Sequence, residues 1–345
     1  STGSGGVLGR FDGGVASYAI DQKVKLNVVG GLPVESSSNA PPSADKYFYG
    51  VNADIGQLWG AWDFNVYLIE QRAFGLLDRR ALGGEARYFK DNLSVFSLAD
   101  VDASYGELNS LLVLGNYLFH NRASVNTTID YRKSPYVLTT DALQGQGVTN
   151  LVDLMRIFTE SEIRDLAADR AARSTTLSVG GYYPFNDRFS INADFTTSKV
   201  SGTPASGGVA ATPATDWEYI YSTQLLVSNL PREADTAILG AQYGDFNTTS
   251  MVSCFVGTRN AITPQLRIAP TLRFAHSDKL DGTDDWTLAP DVQLDYRLRR
   301  NIQFQLEGGM SYGLLGQATP AGRVTPLGYS HFNEYFVLAG YRLDF

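Results

Sequence analysis

The chain has 345 residues, of which 12% are aromatic and only 19% charged, with 34 glycines, 19 tyrosines and 18 phenylalanines. Its formal charge of -8 and the lack of any basic stripe argue against nucleic acid as a partner, and the single cysteine, Cys254, excludes an internal disulfide or a cysteine-built metal cluster. Mean hydropathy is slightly negative, and no run of about 18 apolar residues exists, so spanning by helices is excluded.

From the N-terminus, a Gly-rich opening leads into a first strand around Val15 to Ile20, and Asp21 and Gln22 turn the chain into a second through Val34, where Val24, Leu26 and Val28 alternate with Lys23, Lys25 and Asn27. Residues 35 to 46 read as a long loop by their Ser, Pro and Asn content. Strands are expected at 47–57, 62–72, 80–89, 93–105, 108–120, 123–133, 175–185, 189–199, 217–230, 235–245, 249–259, 265–276, 286–298, 301–312 and 335–345. The clearest two-faced run sets Val125, Thr127, Ile129 and Tyr131 against Ser124, Asn126, Thr128, Asp130 and Arg132. Most runs have about the ten residues that a tilted membrane-crossing strand needs. The tryptophans Trp59, Trp62, Trp217 and Trp286 all fall at run ends, where an indole rests at a membrane interface. Pro33, Pro270 and Pro290 fall inside runs and call for bulges or strand ends.

Short and long connections alternate along the C-terminal half, which puts tight turns at one end of the strands and long loops at the other. In the last run Tyr335, Val337, Ala339, Tyr341, Leu343 and Phe345 share one face, Glu334, Arg342 and Asp344 share the other, and the chain given ends on Phe345. This run resembles the closing strand of Gram-negative outer-membrane β-barrels. The resemblance implies an all-β fold, an antiparallel transmembrane β-barrel of about 16 strands forming a single domain over residues 1–345, in the outer membrane. It also implies that Tyr341, Leu343 and Phe345 serve as an assembly signal read by the barrel assembly machinery, and that lipid and lipopolysaccharide surround the chain. The runs number seventeen, so either one is split or invented, or a further strand precedes Ser1. Length and strand count are loosely similar to the C-terminal barrels of export proteins that carry periplasmic repeats.

Residues 149–173 break the two-residue period. Leu151, Leu154, Met155 and Phe158 recur at helical spacing, as do Ile163, Leu166 and Ala167, and Thr159 with Glu162 forms a capping box. Two short helices are expected in a long outer loop over 134–173, with Gln144 to Gly147 as a mobile lead-in. The loop either packs on its own rim, enters the lumen as a constriction built from Leu154, Met155, Phe158, Ile163 and Leu166, or docks a protein partner.

No catalytic, metal or cofactor site is expected. His276 and His331 lie near Asp278 and Ser330 with no motif around them, and the acids of residues 278–285 do not match a calcium loop. The expected pore-lining set is Asp130, Arg132, Arg188, Asp194, Arg267, Arg273, Asp291, Asp295, Arg297, Glu307, Arg342 and Asp344, in which both signs interleave. The leading expectation is a channel or export pore for polar solutes or a polymer, gated by the helical loop. The alternative is a structural barrel that anchors or encloses a protein partner at the lumen or outer loops.

Overall fold

The computed structural model describes residues 10–34, 44–230, 232–316 and 328–343. All seventeen expected runs are strands of one antiparallel sheet. They are β1 (Arg10–Ala19), β2 (Val24–Val34), β3 (Lys46–Leu58), β4 (Trp62–Ala73), β5 (Leu76–Lys90), β6 (Leu93–Asp102), β7 (Glu107–Leu118), β8 (Ser124–Ser134), β9 (Ala172–Pro184), β10 (Phe189–Val200), β11 (Glu218–Ser228), β12 (Thr236–Phe246), β13 (Thr249–Ala261), β14 (Leu266–Lys279), β15 (Asp284–Arg299), β16 (Ile302–Gly316) and β17 (Tyr329–Leu343). The expected count of about 16 is therefore corrected to seventeen among the described residues, because every run pairs in the sheet in its own right. Residues 139–143 form a 3₁₀ turn, followed by α1 (Leu151–Leu154) and α2 (Glu160–Ala168). Thr159 caps α2 and exchanges bonds with Glu162 as the sequence requires.

The chain divides into two compact units. The first comprises Ser1–Leu118, Asn126–Ser178 and Ser198–Asp216, and the second Phe119–Val125, Val179–Thr197 and Trp217–Phe345. In each unit the alternation of the strands resolves into one apolar and one polar face. Across the first, Val28 opposes Val51, Val51 opposes Leu68, Leu68 opposes Leu82 and Leu82 opposes Val101. These five residues form a continuous ribbon and are 38–58% exposed. In the second, Leu239 opposes Val256, Val256 opposes Leu272, and Tyr296, Phe304 and Tyr341 form a cross-strand row, all exposed. Cys254 lies on this apolar face and is exposed.

Two of the three prolines meet neither a strand end nor a bulge. Pro270 and Pro290 keep continuous register between β14 and β15. On their other sides the ladder skips: β13–β14 pairing passes from Gly257 with Thr271 to Asn260 with Ile268, and β15–β16 pairing from Leu288 with Tyr312 to Asp291 with Gly309. A proline lacks the N–H for one neighbour only, so the strand continues and loses a few ladder bonds. Pro33 sits one residue from the end of β2, as expected.

Candidate functional site

The polar face of the first unit is built from the residues that alternate with the exposed ribbon. Ser17 donates to Asn27 (2.7 Å), the Asn27 amide donates to Asn52 (2.6 Å) and Asp54 (2.8 Å), and Asn65 donates to the other oxygen of Asp54 (2.7 Å). Beside this chain Val29, Phe48, Tyr67, Ile69 and Ala81 are all at most 3% exposed.

Two β-bulges complete the arrangement. Between β4 and β5, Gln71 opposes Arg79 and Arg72 opposes Leu77, which leaves Asp78 as an extra residue. Between β6 and β7, Asp100 opposes Ser110 and Val101 opposes Leu108, which leaves Asn109 extra. A bulge re-aims the side chain it inserts: Asn109 turns to the buried carboxylate of Asp100, and Asp78 turns to the long loop. The Arg79 guanidinium and the Tyr67 hydroxyl each donate to Asp100 at 2.7 Å, and Asn109 donates to its other oxygen at 3.4 Å. Arg79 is 2% and Asp100 3% exposed, so this ion pair is fully withdrawn from water.

Asp78 reaches into the long loop. It accepts from Gln71 (2.7 Å) and from the Thr140 backbone N–H (2.9 Å), while the Thr139 hydroxyl donates to the Leu77 carbonyl (2.8 Å) and stands 3.1 Å from the Tyr105 hydroxyl. The Tyr136 ring lies 5.9 Å from the Arg79 guanidinium carbon. Residues 136–141 thus lie on the polar side of β4 to β6. The helices follow: Leu151, Leu154, Ile163 and Ala167 are wholly buried with Ala73, Val137 and Ala142, against Phe74, Leu76 and Tyr105. The Arg170 guanidinium donates to the Ser206 (2.9 Å) and Gln144 (3.3 Å) carbonyls, and the Gln146 amide to the Gly207 carbonyl (2.7 Å), so residues 206–207 brace the loop from behind.

Burial pushes the Asp141 carboxyl up to about 6, opposed by the Leu138 N–H that it accepts and assisted by Asp78. Because this lies above the ordinary value of 3.8, the protonated acid favours the docked loop; the contribution is complete below about pH 3.8 and is lost as pH rises through about 6. Amide exchange over 138–143, corrected for intrinsic rates, is expected to slow as the pH is lowered across that window in the wild type and not in Asp141→Asn. Equal pH dependence in both would contradict the assignment.

The second unit carries most of the expected pore-lining charges. Arg273 donates to Asp291 (2.7 Å) and Arg259 to Asp295 (3.4 Å), with Gln293 also donating to Asp295 (3.0 Å). The carboxylates are 8% exposed and their arginines 59% and 52%, so acids line the sheet and guanidiniums stand off it. Arg267 opposes Asp295, Glu307 opposes Gln293, and Arg342 opposes Gln303, so these share that face; Arg297 opposes Gln303 from β15. Phe332 and Phe336 lie on the same face and cover Gly313 and Gly309, where no side chain larger than hydrogen fits beneath the rings. Asp194 accepts from Asn192 (2.7 Å), and Arg188 is exposed at the adjoining tight turn. Asp130 and Arg132 pair within β8, in the first unit. Asp344 and Phe345 lie outside the described residues; Tyr341 and Leu343 are exposed on the apolar face.

Of the five expected constriction residues, Leu154 and Ile163 are fully buried, Phe158 and Leu166 pack partly against the same cluster, and Met155 is 38% exposed. The first two therefore anchor the segment rather than face an opening. His276 stacks on Trp286 (centroids 3.9 Å apart) and His331 bonds the Tyr312 hydroxyl (3.0 Å), both on the apolar face. Ser330 and His331 are consecutive strand residues pointing to opposite faces, which separates hydroxyl from imidazole. The alternation did not single out Arg79, Asp100, Asp78 or Asn109. Asp100 is readable, with Asp102, as one of the two acids in a strand that carries no other charge, whereas the bulges leave no mark in composition.

No protein-family model matches the chain, and no curated protein matches it. Among solved structures it is similar to OmpT, an outer membrane protein of Vibrio cholerae in its trimer form (10% identity, 96% of this chain and 99% of that one, TM-score 0.44). It is also similar to an anion-selective porin from Comamonas acidovorans (10% identity, 97% and 100%, TM-score 0.40) and a bacterial polysaccharide outer membrane secretin (9% identity, 93% and 98%, TM-score 0.37). Likeness at this level carries no residue role or activity to this chain.

Proposed function

We propose that the chain is a single transmembrane β-barrel domain of the Gram-negative outer membrane that conducts polar solutes or an exported polymer, narrowed by the loop over 134–173. The observation that carries this reading is the two-faced sheet. A continuous apolar ribbon is exposed on one face, and the other holds hydrogen-bonded asparagines, carboxylates and arginines. Exposed apolar surface on that scale wants lipid against it, and a polar interior wants water or a polar cargo. Both signs of charge on the polar face favour weak ion selectivity. Lipid, lipopolysaccharide and the barrel assembly machinery are the accompanying partners.

The loop supports the narrowing. Residues 136–141 rest on the polar side of the strands, held through Asp78 and the Leu77 carbonyl, and the helices behind them are pinned by a wholly buried apolar cluster. Planar-bilayer recording tests the proposal: the full chain gives a steady current, and deletion of residues 137–172 raises it. Absence of current in both forms rejects the channel in favour of a barrel that anchors or encloses a partner.

A further inference from the structure

One group of charges stands on the wrong face. Tyr49, Glu70, Arg72 and Arg80 lie on the exposed apolar side of β3, β4 and β5, in line with Val51, Leu68 and Leu82. The Tyr49 hydroxyl (2.6 Å) and Arg72 Nε (2.7 Å) donate to one oxygen of Glu70, and Arg80 donates to the other through Nε (3.0 Å) and a terminal nitrogen (2.6 Å). Two cations share one carboxylate, so the group is net positive. Glu70 is 13% exposed but Arg72 and Arg80 are 35% and 44%. A guanidinium has five N–H donors; Arg80 spends two on Glu70, and Arg72 spends one there and one on the Gly75 carbonyl (3.4 Å). Arg72 also faces the Tyr49 hydroxyl, and at 35% and 44% exposure both guanidiniums remain open to a ligand. A cleft of about 290 Å³ is lined by Val28, Val51 and Leu68 together with Tyr49, Glu70 and Arg80 of this group.

We infer that this cleft binds one phosphate-bearing lipid, its acyl chain against Val28, Val51 and Leu68 and its phosphate bridging Arg72 and Arg80. The inference rests on the membrane reading above. On a lipid-facing strand an arginine is costly at mid-membrane and tolerated near the interface, so a paired cluster beside the 74–75 turn belongs at headgroup depth, where lipid phosphates lie. The net positive charge selects an anion, and the adjoining cleft selects one that carries a hydrocarbon chain over a soluble phosphate.

Native mass spectrometry of the full chain released from detergent micelles tests this with dioleoyl phosphatidic acid, dioleoyl phosphatidylcholine, dihexanoyl phosphatidic acid and inorganic phosphate as probes. The long-chain phosphatidic acid is expected to be retained about tenfold better than the phosphatidylcholine. Arg72→Gln with Arg80→Gln removes that preference, and Glu70→Gln, which leaves both cations uncompensated, raises it. Opposite movement of the two variants separates lipid recognition from simple destabilisation. Identical lipid preference in all forms, retention of the short-chain or inorganic phosphate as well as the long-chain lipid, or a lipid-free self-association through this face overturns the site. A chain that conducts normally without the preference sinks the lipid site alone, whereas one that stays monomeric in water without detergent sinks the membrane reading with it.

Discussion

Arg79→Ala is expected to be among the most destabilising single substitutions in the chain, lowering folding stability by about 3–5 kcal/mol, the usual cost of stripping one partner from a buried ion pair. Asp100 is 3% exposed and accepts from Arg79, Tyr67 and Asn109; without the guanidinium its charge keeps only neutral donors and no route to water. The double substitution Arg79→Leu with Asp100→Leu should recover most of the loss, because a buried pair replaced by apolar residues of similar bulk is often neutral. Urea-induced unfolding of detergent-folded protein reads both. A loss below about 1 kcal/mol for Arg79→Ala, the range of exposed pairs, would show that water reaches Asp100.

The second large effect concerns the loop. Leu154→Ala and Ile163→Ala each remove a wholly buried side chain from the cluster that holds α1 and α2 to Ala73, Phe74 and Leu76. Each is expected to cost about 2–5 kcal/mol, with less than additive loss in combination because both belong to one cluster. The loss should be local: amide exchange over residues 136–168 accelerates while the strands stay protected, and single-channel current becomes noisy or rises. Met155→Ala, at an exposed position, should do neither. If Leu154→Ala leaves both exchange and current unchanged, the segment is not held by this cluster and the narrowing proposed for it has no mechanism.

The Arg79 and loop effects meet at the bulge of β5. Asp78 is the inserted residue, and its carboxylate carries both Gln71 from the neighbouring strand and the Thr140 N–H from the loop. Loss of Arg79 disturbs the strand residue beside that carboxylate, so it is expected to loosen the loop as well as the sheet.

Much of this architecture is legible locally. Period-two alternation located all seventeen strands, since a half-buried strand exposes every second residue to a different medium wherever it sits. It also divided Arg273, Asp291, Asp295 and Glu307 from Leu272, Val292 and Leu306, and the Thr159 and Glu162 pair announced the start of α2 three residues apart. Pro270 and Pro290 misled because a missing N–H reads the same in sequence whether the strand ends or merely drops a few bonds to one neighbour.

What only the tertiary structure decided depends on residues far apart in the chain. Thr139 meets Leu77, and Thr140 meets Asp78, across some sixty residues; nothing in residues 134–173 alone says whether their apolar side packs on the rim, on the polar face or on a partner. The bulges at Asp78 and Asn109 arise from how two strands match in register, a property of pairs that neither strand carries by itself. The same holds for Glu70, Arg72 and Arg80. Sequence reads them as three charges near a turn, and only the pairing of β3, β4 and β5 gathers two guanidiniums around one carboxylate on a face that is otherwise hydrocarbon.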